Sequence, residues 1–214
     1  MPDFKAAIFD LDGTLIDSMG VWEKIDIDFL AKRHLPVPEN YINEICARSF
    51  REAAVYTISL FGLRESADDM IDEWNHMAID EYSCHVPLKP HAKEYLRFLK
   101  SRGIKLCTAS ALPKVLYEPV LRKNGVYDLF DAFASTDEVN RGKENPDIYL
   151  LAAKKLGIEP HDCIAFEDVL PGIKGILAAG MQAYGVYDKY SSHDKEKIQK
   201  ISKFYIYDFS ELMI

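Results

Sequence analysis

The chain has 214 residues, with 26 Lys+Arg against 34 Asp+Glu and a formal net charge of −8. Hydrophobic residues at 48% and charged residues at 28% describe a folded globular protein and exclude disordered and collagen-like chains. The acidic balance argues against a nucleic-acid or anionic-membrane partner, since both need clustered Lys and Arg.

Residues 4–9 predict a short apolar strand that runs straight into Asp10-Leu11-Asp12-Gly13-Thr14. Residues 17–83 then read as almost pure helix. Within them, Ser66 with Asp69 three residues later has the pattern of a capping box. Ala67, Met70, Ile71 and Trp74 follow as an apolar stripe, with Asp68, Asp69, Asp72 and Glu73 on the other face. Met19, Met70, Met77 and Trp22 are expected in the core of this block. From residue 90 onward the pattern alternates. Ala92, Tyr95, Leu96 and Leu99 mark a helix stopped by Gly103, and residues 104–108 form a strand. A helix from Lys114 to Asn124-Gly125 contains Pro119, and a short strand covers 132–134. Asn145 and Pro146 open a helix whose core face is Tyr149, Ala152, Ala153 and Leu156. A strand at 162–166, a helix carrying Ile173, Ile176 and Leu177, and strands at 183–187 and 204–207 around a last polar helix complete the chain. Strands alternating with helices imply a parallel sheet covered on both faces.

The expected organisation is therefore an α/β core of residues 1–15 and 87–214, interrupted after its first strand by an all-helical insert at 16–86. Residues 16–86 hold six basic and 14 acidic residues, so the insert carries the whole charge of −8, and the remainder has 20 of each sign. The helix over 65–81 concentrates that charge, a field that would disfavour long polyanions. No apolar run is long enough for a secretory signal or a membrane span. The four cysteines (Cys46, Cys84, Cys107, Cys163) lie far apart without a CxxC, and the six histidines show no zinc-binding spacing. A soluble cytoplasmic protein with reduced cysteines is expected, as a monomer or weak dimer.

In open parallel sheets the site lies beyond the carboxyl ends of the strands. Asp10 and Asp12 follow the first strand, Thr108 ends the strand at 104–108, and Lys143 precedes the helix at 146. Glu167 and Asp168 follow the strand at 162–166. A carboxylate at a strand end can attack a phosphoryl group. Attack by one anion on another needs positive charge, which Lys143 and a Mg²⁺ held by Asp10 and Asp168 would supply. Asp12 could protonate the leaving oxygen and later take a proton from water. Gly13 permits the sharp exit, while Thr14 and Thr108 would offer hydroxyls to phosphate oxygens. Ser110 either reaches the substrate or caps the following helix.

Asp10-Leu11-Asp12-Gly13-Thr14-Leu15, Thr108-Ala109-Ser110, Lys143-Glu144-Asn145-Pro146-Asp147 and Phe166-Glu167-Asp168-Val169-Leu170-Pro171-Gly172 resemble motifs one to four of the haloacid dehalogenase superfamily, in order along the chain. The helical insert after motif one is similar to that of the subgroup holding β-phosphoglucomutase and small phosphatases. The resemblance implies a Rossmann-like core with an all-helical cap. It makes Asp10 the nucleophile and Asp12 the general acid/base. Thr108 and Lys143 would hold the phosphoryl group, and Lys143 would also screen Asp10. Asp168, Asp10 and the Asp12 carbonyl would bind Mg²⁺, with Glu167 binding nearby through water.

Departures select among the family's activities. The second aspartate, Asp12, argues against the dehalogenases and phosphonatases. Trp22 stands where the mutases carry a cap histidine, and Ser110-Ala111-Leu112 lacks two polar sugar contacts. Val169 and Glu144 replace common Ser/Thr and Pro, and His91 replaces a common glycine at the return from the cap. Arg51-Glu52 resembles a cap arginine of the mutases and keeps a sugar phosphate in play. Arg48 and Arg51 could equally be ordinary surface arginines. The balance favours a Mg²⁺-dependent phosphatase for a small phosphorylated metabolite, working through an aspartyl-phosphate. A β-phosphoglucomutase-like mutase is the alternative, and a non-catalytic phosphometabolite sensor is the rival of another class.

Overall fold

In the computed structural model, which describes residues 4–39, 41–46 and 50–213, the run Ala6–Phe9 forms β1, buried at every position. Such a continuous apolar strand needs cover on both faces, as in the middle of a parallel sheet. The chain divides into two compact units, one running up to Ser18 and from Val86 onward, the other Met19–His85.

The Met19–His85 unit holds α1 (Met19–Lys32), α2 (Tyr41–Cys46), α3 (Phe50–Phe61) and α4 (Ala67–Cys84). Ser66 caps α4 with the full reciprocal capping box to Asp69. Phe29, Leu30, Met70, Trp74, Ala78 and Tyr82 form its interior, with Phe29 and Trp74 edge to face at 5.6 Å. Met19 and Met77 are only half-buried, as is Trp22, whose ring lies 6.4 Å from that of Tyr82. Acidic residues on α4 and just before it pair with basic residues of the same unit. Arg33 bonds Glu65 at 3.0 Å and Glu73 at 2.6 Å, Lys32 reaches Glu73, Lys24 reaches Glu81, and Arg51 pairs with Asp68. On α1, Asp26 is a buried carboxyl. Arg48 lies outside the described residues.

The other unit continues with α5 (Ala92–Ser101), β2 (Lys105–Ser110), α6 (Lys114–Lys123), β3 (Ala132–Ser135) and α7 (Asp147–Leu156). It ends with β4 (Cys163–Glu167), α8 (Leu170–Ala178), β5 (Gln182–Val186), α9 (Lys195–Ile201) and β6 (Phe204–Ile206). All strands pair in parallel in the order β3-β2-β1-β4-β5-β6. The sequence order reverses on either side of β1, which is where such sheets open a crevice at their carboxyl ends.

One sheet face is aromatic. Phe9 and Phe166 stack at 4.6 Å, and Tyr95 and Phe209 close over them. The opposite face is built from smaller residues, Ala6, Ile8, Cys107, Ala109 and Ala165, under Tyr149, Ala152 and Ile173. The buried side of α8 is Gly172, Ile173, Gly175 and Ile176, whereas Leu177, expected in the core, is 40% exposed. His91 is exposed at φ 56°, the left-handed conformation that glycine adopts freely, and its ring bonds the Asp208 carboxylate at 2.8 Å. The segments leading to and from the helical insert run side by side. Asp17 N–H donates to Pro87 O at 3.0 Å and Lys89 N–H to Leu15 O at 2.9 Å.

Candidate active site

The register of the three central strands gathers the chemistry at one end of the sheet. Phe9 pairs with Thr108 on one side and Phe166 on the other, so Asp10 emerges between Thr108 and Glu167. The Asp10 N–H donates to Phe166 O at 3.1 Å and extends the ladder by one residue, fixing the direction in which the carboxyl leaves the strand. That carboxyl is buried.

Lys143 comes from the loop before α7. Its Nζ bonds the Asp10 carboxylate and donates to Glu167 Oε1 at 2.8 Å. The loop lies against α8 so closely that a Cβ on Gly175 would fall 2.0 Å from Lys143 O. Burial pushes the Asp10 carboxyl up to about 7, against the pull of Lys143 and with help from Glu167 and Asp12. Burial alone would lower the Lys143 ammonium, but Asp10 and Glu167 outweigh it and hold the lysine protonated above its ordinary range.

Glu167 is fully buried and saturated with donors. Oε1 accepts Lys143 and, at 3.2 Å, the Tyr149 hydroxyl; Oε2 accepts the N–H groups of Asp168 and Val169 at 3.1 and 3.2 Å. Asp168 is also buried. Its Oδ1 accepts the Thr14 hydroxyl at 2.9 Å, while its Oδ2 has no hydrogen-bond partner among the described residues. Burial, then the charges of Glu167 and Asp10, push the Asp168 carboxyl well up.

Three carboxylates, Asp10, Glu167 and Asp168, thus offer oxygens within 4.8 Å of one another, against one lysine. An orphaned buried carboxylate oxygen in such a cluster fits a hard divalent cation, whose charge would offset the mutual repulsion. The residues present fit a metal.

Asp12, half-buried, accepts the Ser18 hydroxyl at 2.6 Å. Thr108 is buried on β2 beside Phe9. Ser110 ends β2, and its hydroxyl oxygen accepts the Leu112 N–H at 3.0 Å, the turn-capping arrangement. Arg51 is exposed on α3 and ion-paired with Asp68. The structure therefore brings Asp10, Lys143, Glu167 and Asp168 into one cluster. Thr14 differs from expectation, because its buried hydroxyl is directed at Asp168. Two participants escape a reading of periodicity. Tyr149 sits on a core stripe that hides its hydroxyl, and Ser18 lies beyond the motif whose Asp12 it binds.

A family model for haloacid dehalogenase-like hydrolases matches residues 4–180. The chain belongs to the haloacid dehalogenase-like hydrolases. Relatives of this hydrolase include hexitol phosphatase B of Escherichia coli (strain K12), 31% identical over 183 residues, covering 83% of this chain and 81% of the relative. Beta-phosphoglucomutase of Bacillus subtilis (strain 168) is 33% identical over 198 residues, covering 85% and 83%. Among solved structures, a Thermotoga maritima protein provisionally named a beta-phosphoglucomutase superposes with a TM-score of 0.86 at 25% identity, over 98% of this chain and 96% of that one. Among the described residues, no helix of the hydrolase is long and apolar enough to cross a membrane.

Proposed function

We propose that this hydrolase is a Mg²⁺-dependent phosphatase of small phosphate monoesters, with the helical segment 16–86 as its cap. The observation that carries the reading is the Lys143 ammonium shared between Asp10 and Glu167, beside an Asp168 oxygen with no partner. A phosphoryl group entering this site would take Lys143 as its cationic partner, freeing the Asp10 carboxylate to attack phosphorus. As the Asp10 oxygen–phosphorus bond forms, the bond to the leaving oxygen breaks, and Asp12 delivers a proton to that oxygen. Asp12, now a carboxylate held by Ser18, takes a proton from water as the water oxygen attacks phosphorus. Inorganic phosphate departs and the Asp10 carboxylate is restored. Thr108, one strand away from Asp10, would donate to a phosphoryl oxygen. Asp10, Asp168 and the Asp12 carbonyl would hold the Mg²⁺, which neutralises phosphoryl charge when bound. Glu167, with both oxygens occupied, would orient Lys143.

The relatives' names favour a small phosphorylated sugar or sugar alcohol as substrate. Two experiments test the core of the reading. Asp10→Asn should abolish phosphate release from an aryl phosphate, and EDTA should do the same to the wild type, with Mg²⁺ restoring it. Turnover in either case refutes the mechanism. The mutase reading is favoured by the 33% identity to a beta-phosphoglucomutase. Phosphorus NMR on a hexose 1-phosphate separates the two, since inorganic phosphate identifies the hydrolase and hexose 6-phosphate the mutase.

A further inference from the structure

Tyr149 sits on α7 within the small-residue side of the core, fully buried, yet it carries a phenol where a phenylalanine would fill the same space. Its hydroxyl donates to Glu167 Oε1 at 3.2 Å, the same oxygen that accepts Lys143. The other carboxylate oxygen is pinned by two backbone N–H groups, so Glu167 cannot rotate to satisfy Oε1 differently. Helix α8 is cut away to allow this arrangement. A Cβ on Gly172 would lie 2.4 Å from Glu167 Cδ, and one on Gly175 would lie 2.9 Å from Tyr149 Cε2.

We propose that Tyr149 is a positioning residue, whose hydroxyl acts through Glu167 to set how the Lys143 ammonium is shared between Glu167 and Asp10. A buried carboxylate oxygen is served by Tyr149 and Lys143 together. The hydroxyl takes part of the negative charge that would otherwise draw the ammonium toward Glu167. Removing it leaves Lys143, among the described residues, as the only side-chain donor on that oxygen and shifts the lysine away from the place where Asp10 and an incoming phosphoryl group need it. The inference rests on the phosphatase reading for its kinetic consequence, but its geometric half stands independently.

The test is Tyr149→Phe, which keeps the ring and deletes the donor. Turnover should fall about tenfold, the scale of one hydrogen bond to a charged group, with KM within twofold of wild type. In ¹⁵N-lysine NMR, the Lys143 ammonium signal, assigned by its loss in Lys143→Met, should move in Y149F and stay fixed in Tyr205→Phe. A purely structural role predicts a lower melting temperature, unchanged turnover per folded molecule and an unmoved ammonium signal; that result overturns the proposal. Where the wild type releases phosphate, a change in only one of the two readouts overturns it too. If Y149F does not fold, 3-fluorotyrosine incorporated at position 149 keeps the ring and makes its hydroxyl a stronger donor. It should change turnover and move the Lys143 signal, and no effect on either rejects the proposal. Failure of the phosphatase reading would appear separately, as wild-type protein that releases no phosphate while its Lys143 signal still responds to Y149F.

Discussion

Replacing Asp26 with asparagine should stabilise the Met19–His85 unit at neutral pH. Asp26 is buried on α1, and burial, with the charge of nearby Glu23 added, pushes its carboxyl from 3.8 up to about 7. A carboxyl raised in the folded state holds its proton there while the unfolded chain has already lost it. Folding stability is therefore fully retained below about pH 4, falls as pH rises toward 7, and stays reduced above that. Three pKa units at 1.36 kcal/mol each set a ceiling of about 4 kcal/mol, and relaxation around the charge reduces the expected effect to about 2 kcal/mol. Asn cannot ionise, so D26N should exceed wild type by that amount at pH 8 and by little at pH 4. Both tryptophans of the chain, Trp22 and Trp74, lie in this unit, so urea unfolding followed by tryptophan fluorescence reports it selectively. A D26N protein no more stable than wild type at pH 8, or equally stabilised at pH 4 and pH 8, would refute the reasoning.

Gly175→Ala places a methyl group against the Lys143 carbonyl, a backbone atom that cannot swing aside. It should cost about 1–3 kcal/mol of stability through overpacking and, by displacing Lys143, about a hundredfold in kcat. Lys174→Ala, at an exposed position of the same helix, should leave kcat unchanged in the same phosphate-release assay. At His91, Gly and Ala both lose the ring's bond to Asp208, but Gly relieves the left-handed backbone while Ala keeps it. His91→Ala should therefore melt below His91→Gly, by an amount equivalent to about 1 kcal/mol in thermal denaturation.

The architecture was legible where residues carried their own signal. The apolar run ending in Asp10-Leu11-Asp12-Gly13-Thr14 forms the central strand, and the Ser66/Asp69 pair caps its helix. The site was legible as a set of strand-end residues because parallel register does the gathering. What periodicity could not show is what a polar atom meets. Tyr149 scores as core, and nothing in its spacing reveals a hydroxyl aimed at Glu167. Thr14 lies within the first motif, but its partner Asp168 lies far along the chain. Leu177 departs from its expected core position for a related reason. Glycine carries no hydropathic signal, so a buried face made of Gly172 and Gly175 was invisible and the stripe through Leu177 looked better. The same glycines exist to admit Glu167 and the Lys143 loop, so the error fell at the site itself. The acidic face of α4 is a milder case, since its charge is visible in sequence but its pairing with Lys24, Lys32, Arg33 and Arg51 is not.

The central position of β1 has a consequence for the order of assembly. The strand that delivers Asp10 is synthesised before both of its partners, which stand at Lys105 and Cys163 opposite Ala6, much later in the chain. The contacts of Met19–His85 close locally and can form while the rest is still being made. Strand β1 has to wait, and such distant parallel pairings are slow to find one another. Lys143 completes both of its bonds, to Asp10 and to Glu167, only once β4 is in place. The Asp10 carboxyl is therefore made well before the residues that surround it, and it acquires its buried setting only once β4 has emerged.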